Sequence, residues 1–244
     1  MRPLKKGWSV LMMCAVCAQV SISRADASVW VEGKSNVIHY DGKIDQEGYE
    51  KFEAAIRGRN VQKLLIRSGG GDAKIAAKMA SKVFSLAIDV EVNQYCFSAC
   101  ANYIFVAGAN KVVPSGAILG FHGGITGDSV RRYKASPLPI PLKRALLEAA
   151  SLHIPVYSKL KLNDRLIECS GRYTAKELEV TGSKDRITFS GTESSFAFIP
   201  SFGQLKQAGV HGIIEYSMPS TEEDARKLLD ELGLEWVVPK IGNC

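Results

Sequence analysis

The sequence predicts an α/β protein built from repeated βαβ units around a largely parallel sheet. Three observations carry that expectation. Short apolar runs alternate with stretches whose apolar residues recur at helical spacing. The helical stretches open on capping side chains and stop at glycines. Each of three apolar runs is followed closely by a turn rich in glycine, serine or histidine, as expected where strands feed right-handed crossovers.

Taken in order, Val29-Trp30-Val31 and Val37-Ile38-His39-Tyr40, parted by a turn near Gly33, read as strand. Asp45 can cap a helix running to about Arg57, ended by Gly58, with Tyr49, Phe52 and Ile56 on one face. Residues 61–66 form a short apolar strand, and Ser68-Gly69-Gly70-Gly71 follows at once. Asp72 opens a helix to about Leu86 whose inner stripe is Ile75, Met79 and Val83. Residues 88–92 read as strand, 93–97 as loop, and 98–107 as a small apolar helix stopped by Gly108. Val112-Val113 and residues 117–121 are further short strands, and 123–141 is a loop. Helices are expected over 141–152 and 155–167, with a short one from Thr174 to Gly182. After residue 185 come strand 196–199, helix 201–208, strand 212–217, helix 221–232 and strand 235–238. That segment could pack on the main sheet or form a layer of its own.

The N-terminus sets the compartment. Arg2, Lys5 and Lys6 precede an apolar run from Trp8 to Val20, and Ala25-Asp26-Ala27 is a small-x-small cleavage site. This is the layout of a secretory signal peptide over residues 1–27. The expected organisation is therefore that leader, an α/β domain over 28–184 and a C-terminal α/β extension over 185–244. The mature chain is expected to be periplasmic or secreted, with no stable membrane span. Removing the leader leaves 27 basic and 24 acidic residues, a net charge of +3 instead of +6, too weak to argue for nucleic acid. Cys96, Cys100, Cys169 and Cys244 remain, an even number in a compartment that permits disulfides. Three full pairings are open. Cys96 and Cys100, one helical turn apart, are either a disulfide that stiffens their turn, the favoured reading, or two small buried residues. The histidines and cysteines lack zinc-type spacing, so no metal is expected, and no cofactor.

Three features could carry chemistry. Ser98, in Cys96-Phe97-Ser98-Ala99-Cys100, stands where strand and loop give way to helix. A hydroxyl there lies near free backbone N–H groups and the positive helix end. Its bland alternative is an N-cap. The Ser68–Gly71 turn can aim N–H groups at an oxyanion, or can be a plain tight turn. His122 follows an apolar strand. At the carboxyl end of a parallel strand, a neutral imidazole can take a proton from a serine. His39, His153 and His211 read as structural or surface residues.

In that order the three features resemble the core of the Clp-protease/crotonase superfamily, above all the Clp proteolytic subunit and signal peptide peptidase A. Leu65-Ile66-Arg67-Ser68-Gly69-Gly70-Gly71 is similar to its strand and glycine turn, Cys96-Phe97-Ser98-Ala99 to its nucleophile segment, and Ala107-Gly108-Ala109-Asn110-Lys111 to a following turn. Gly120-Phe121-His122 falls where its histidine stands. The resemblance covers roughly 36–182 and implies a serine peptidase. Ser98 would attack a peptide or protein substrate, His122 would shuttle the proton, and the N–H groups of Gly71 and Ala99 would hold the oxyanion. The substrate would align by strand addition, and self-association into a homo-oligomer would follow the relatives. This chain departs at Gly69, where the family has proline, and in lacking an Asp in register before 172–178. Glu168, with Asp164 beside it, is the candidate to orient His122. Without such a carboxylate, the alternative is a catalytically inactive peptide- or protein-binding member of the fold. A crotonase-like acyl-CoA enzyme is disfavoured by export and by the serine at this position.

Overall fold

The computed structural model describes residues 27–243 except 33–34, 125, 127–129, 132–139, 175–178, 184–185 and 191–194. The expected leader lies outside them save for Ala27. That residue is buried, and its carbonyl accepts a bond from Lys51 Nζ.

An antiparallel pair, β1 (Ser28–Val31) and β2 (Val37–Asp41), opens the chain. Asp45 then caps α1 (Gln46–Ile56), its carboxylate accepting from Gly48 N–H. β3 (Lys63–Ser68) pairs parallel with β2 and alternates buried Leu64, Ile66 and Ser68 with half-exposed residues. Asp72 caps α2 (Ala73–Ser85), accepting from the N–H groups of Lys74 and Ile75, and Ile75, Met79 and Val83 are buried as the periodicity requires. β4 (Asp89–Phe97) pairs parallel with β3. After it come the helix α3, whose central turns at Cys100–Phe105 are π-helical, and the short strands β5 (Lys111–Val113) and β6 (Ile118–Gly120).

β4 departs most from its expected form: it continues through 93–97 instead of ending at Val92. Two extra residues enter between the pairs Ile66↔Val92 and Ser68↔Cys96. Gln94 takes φ +72°, and its side-chain oxygen accepts from Arg67, which is itself ion-paired to Asp41. Such a bulge re-aims a strand. Below it β4 pairs with β5, above it with β6. The carboxyl ends of β3, β4 and β6 thereby finish side by side, through Ser68↔Cys96 and Phe97↔Gly120.

Two other expectations are corrected. One helix, α4 (Ile140–Leu160), replaces the two expected over 141–152 and 155–167, running through Pro155. His153 and Tyr157, on either side of that proline, are buried and ring-packed with Tyr103. This tertiary packing outweighs the lost backbone bond. α5 (Arg165–Thr174) follows. In place of a short helix ending at Gly182, β7 (Glu179–Ser183) and β8 (Arg186–Ser190) make an antiparallel hairpin rich in Val, Thr, Ile and Phe.

The C-terminal segment takes both of the courses left open for it. β10 (Ile213–Tyr216) joins the main sheet beside β5, completing the order β1-β2-β3-β4-β5-β10 with β6 on β4. β9 (Ser195–Phe198) and β11 (Val237–Lys240) form a separate parallel pair. That pair is tied to the end of β6 by the bridge Phe121↔Phe198, with both backbone bonds at 2.8 Å. α6 (Phe202–Gln207) and α7 (Glu222–Glu231) are capped by the hydroxyls of Ser201 and Thr221. A second apolar cluster of Phe97, Ile118, Ala197, Leu229, Leu234 and Val237 welds the segment to the main sheet. Among the described residues, no helix is long and apolar enough to cross a membrane.

Candidate active site

Phe97 ends β4, and the chain turns sharply at Ser98, with φ +53°. A left-handed backbone at a non-glycine residue costs of order 1–3 kcal/mol and persists only where the surroundings impose it. Here Ser98 N–H donates to Gly120 O at 3.0 Å, and Asn102 N–H donates to Ser98 O at 2.8 Å. An N-cap residue has extended backbone and a side chain bonded to the next turn. Ser98 has neither: the residue at the cap of the π-helical turns is Ala99, with no side-chain cap bond. The capping reading therefore falls away. The turn instead has the strand–sharp bend–helix shape that presents a serine hydroxyl clear of its own backbone.

A disulfide joins Cys96 and Cys100 across this bend; Cys169 is disulfide-bonded as well. The Cys96–Cys100 loop is very short, so chain-entropy bookkeeping assigns it about 2 kcal/mol. A Cys96→Ala/Cys100→Ala double variant should lose about that much stability, read as a lower urea midpoint at unchanged m-value.

The glycine turn abuts the bend. A Cβ on Gly70, at φ +95°, would lie 2.8 Å from Phe97 O and from Ser98 Cβ, and 3.0 Å from Ala99 N. Only a bare α-carbon allows that approach. Gly70 N–H donates to the buried Ser68 hydroxyl at 3.1 Å. Gly71 lies against the backbone of Ile44, with which it forms a parallel bridge. Thus Gly70 packs directly on Ser98 and Ala99, while Gly71 anchors the turn to Ile44, three residues past β2.

His122 follows the Phe121 bridge. It is half-buried, and burial pushes its pKa below the usual imidazole value. Its backbone is clamped: Asn102 Nδ2 donates to His122 O at 3.0 Å and to Gly123 O at 3.4 Å, and Ser170 Oγ donates to Gly123 O at 3.2 Å. Asn102 thus binds both Ser98 and His122. Its signal was in the sequence, as a lone amide within the apolar run 99–107, where a buried polar group must find partners.

The structure does not bring Glu168 to His122. Glu168 is exposed on the first turn of α5, and among the described residues no carboxylate is hydrogen-bonded or ion-paired to the His122 ring. Asp164 is engaged elsewhere, its Oδ1 3.0 Å from Nε2 of the fully buried His153.

Ser98 and His122 line one cavity of about 240 Å³ together with Gly69 and Phe97. Among the described residues no hydrogen bond joins the hydroxyl to the imidazole. The remaining wall comes from the C-terminal segment, as Phe196, Ala197, Trp236 and Val237. Among the described residues no cluster of His, Cys, Asp and Glu is arranged to hold a metal ion.

No protein-family model and no curated protein matches the sequence. Among solved structures, the chain is similar to an enoyl-CoA hydratase from Mycobacterium ulcerans at 12% identity, covering 86% of this chain and 84% of that one with a TM-score of 0.35. It is similar to one from Mycobacterium marinum at 13% identity over 52% of this chain and 68% of that one, TM-score 0.33. It is also similar to a methylmalonyl-CoA decarboxylase at 8% identity, over 53% and 64%, TM-score 0.31. Similarity of this degree assigns no chemistry to Ser98 or His122.

Proposed function

We propose that this chain is an exported serine hydrolase acting on peptide or protein substrates, with Ser98 as nucleophile and His122 as general base. The observation that carries the reading is the shared cavity: a serine held at φ +53° on a strand-to-helix bend opens into the same space as a half-buried histidine. Ser98 Oγ attacks the scissile carbonyl as His122 takes its proton. The negative charge moves to the carbonyl oxygen, for which the N–H groups of Ala99 and Gly71 are the proposed donors. Collapse returns the proton to the leaving amine. Water, deprotonated by the same imidazole, then hydrolyses the acyl-serine.

In this reading the imidazole is positioned through its backbone, by Asn102, in place of a carboxylate. Asn102→Leu keeps the side chain's branching and heavy-atom count and removes the donor. It should lower kcat about 10²-fold with little change in KM, measured on an activated ester such as N-acetylphenylalanine p-nitrophenyl ester.

A second reading, a non-catalytic peptide-binding member of the fold, is favoured by the absence of any described carboxylate acting on His122. A fluorophosphonate probe separates the two. The hydrolase reading expects one adduct on the mature protein, mapped by mass spectrometry to the peptide holding Ser98 and absent from Ser98→Ala. A folded wild-type protein that takes no label contradicts it.

A further inference from the structure

The C-terminal segment contributes half of the residues lining the cavity beside Ser98, and they have one chemical character. Phe196, Ala197, Trp236 and Val237 line it together with Phe97, and among the described residues no acidic or basic side chain other than His122 lines it. At about 240 Å³ it is smaller than cavities that take drug-sized ligands and suits a single side chain or short acyl group.

The wall is built to hold its shape. Ala197 and Val237 are buried, at 2% and 3% exposure, and β9 and β11 pair in parallel behind them. Leu229, Leu234 and Ile118 back the same layer. The segment comes this close because residue 120 is glycine: a Cβ there would lie 2.7 Å from both Ala197 Cβ and Phe97 Cδ1. Trp236 is the exception to this burial. It stands in the turn before β11 with half of its surface in water. A large indole left open at the edge of a preformed apolar cavity has surface still to bury, which an entering apolar group would cover.

We infer that this cavity is the specificity pocket of the site: it takes an aromatic or branched apolar side chain of the substrate, selected by Trp236 and Phe196, and rejects charged ones. The inference rests on the hydrolase reading for its role in turnover, but binding can be measured without turnover. A charged side chain entering the cavity would lose its hydration with no described counter-charge to replace it, whereas an apolar one gains contact with three rings.

The test uses Ser98→Ala in a Trp30→Phe background, so that Trp236 is the tryptophan whose fluorescence reports binding in the mature chain. Titration with N-acetylphenylalaninamide and N-acetyllysinamide should show at least about tenfold tighter binding of the first. Trp236→Ala should reduce that preference severalfold. Trp236→Glu should raise affinity for the lysine amide, a gain that misfolding cannot produce; these two variants are followed by amide-ligand NMR. Equal affinity for both amides, or a preference unmoved by all changes at Trp236, overturns the inference. Fluorophosphonate labelling of wild type alongside equal amide affinities removes this inference alone. An apolar preference in a protein that never labels sustains the pocket and removes the hydrolase reading.

Discussion

If Ser98 and His122 are nucleophile and base, Ser98→Ala and His122→Ala should each lower kcat on an activated ester by about 10³-fold or more, and the double variant should fall no further than the worse single one. Nucleophile and base act as one unit: a hydroxyl without its base is a poor nucleophile, and a base without its hydroxyl has nothing to activate. Removing the second member of such a pair therefore costs little once the first is gone. What survives is the share due to oxyanion donors and substrate binding, which can still exceed the uncatalysed rate by about 10³-fold. The bend at Ser98 is tied to the end of β6 through Gly120 O, and His122 lies two residues beyond it. That connection makes a coupled loss the expected pattern. Losses that multiply in the double variant would mean that the two side chains serve separate purposes.

Gly71→Ala has the largest expected effect on stability. Its φ is +149°, and a Cβ there would lie 2.1 Å from Ile44 O and 2.9 Å from Ile44 N and C. Those atoms are backbone, not a flexible side-chain end. Ile44 cannot retreat, because Ile44 N–H donates to Gly70 O at 2.9 Å and Asp72 N–H donates to Ile44 O at 2.8 Å. Relief requires opening the join between Ile44 and Asp72, the cap of α2. Strain and broken pairing together should exceed about 4 kcal/mol, a range reached by few point changes. Most or all of the cooperative urea transition should be lost. Gly69→Ala is the control. No atom lies within 4 Å of a Cβ there, and its φ lies outside the left-handed range, so stability should change by less than about 1 kcal/mol.

The contrast between neighbouring glycines shows where the sequence is legible. Periodicity and capping residues located α1 and α2, because Asp45, Asp72 and the stripe of Ile75, Met79 and Val83 act locally. The shared cavity of Ser98 and His122 is legible for the same reason: each follows an apolar run, and parallel strands bring their carboxyl ends together. The bulge at Gln94 is hidden because the polar pair Asn93-Gln94 reads as the end of a strand unless the partners Arg67 and Asp41 are known. The lone helix through Pro155 follows packing that local propensity opposes, while the pairing of 179–183 with 186–190 is obscured by Thr174 and Gly182, which read as a helix cap and stop. Trp236 and Ala197 had no local signal at all. Their place beside Ser98 depends on the Phe121–Phe198 bridge, a long-range pairing.

The coupling of Ser98 to His122 is tested most directly by the titration of the His122 imidazole, followed by NMR in the free protein and with a phosphonate monoanion on Ser98. Burial lowers the free imidazole's pKa below 6.5. As the base works in its neutral form, the acid limb of kcat/KM should also fall below pH 6.5. An anionic oxygen on Ser98 within about 4–6 Å favours the imidazolium, so the adduct should titrate at least about one pH unit higher. A His122 titration that is the same with and without the anion would place the imidazole out of reach of the serine and contradict the account.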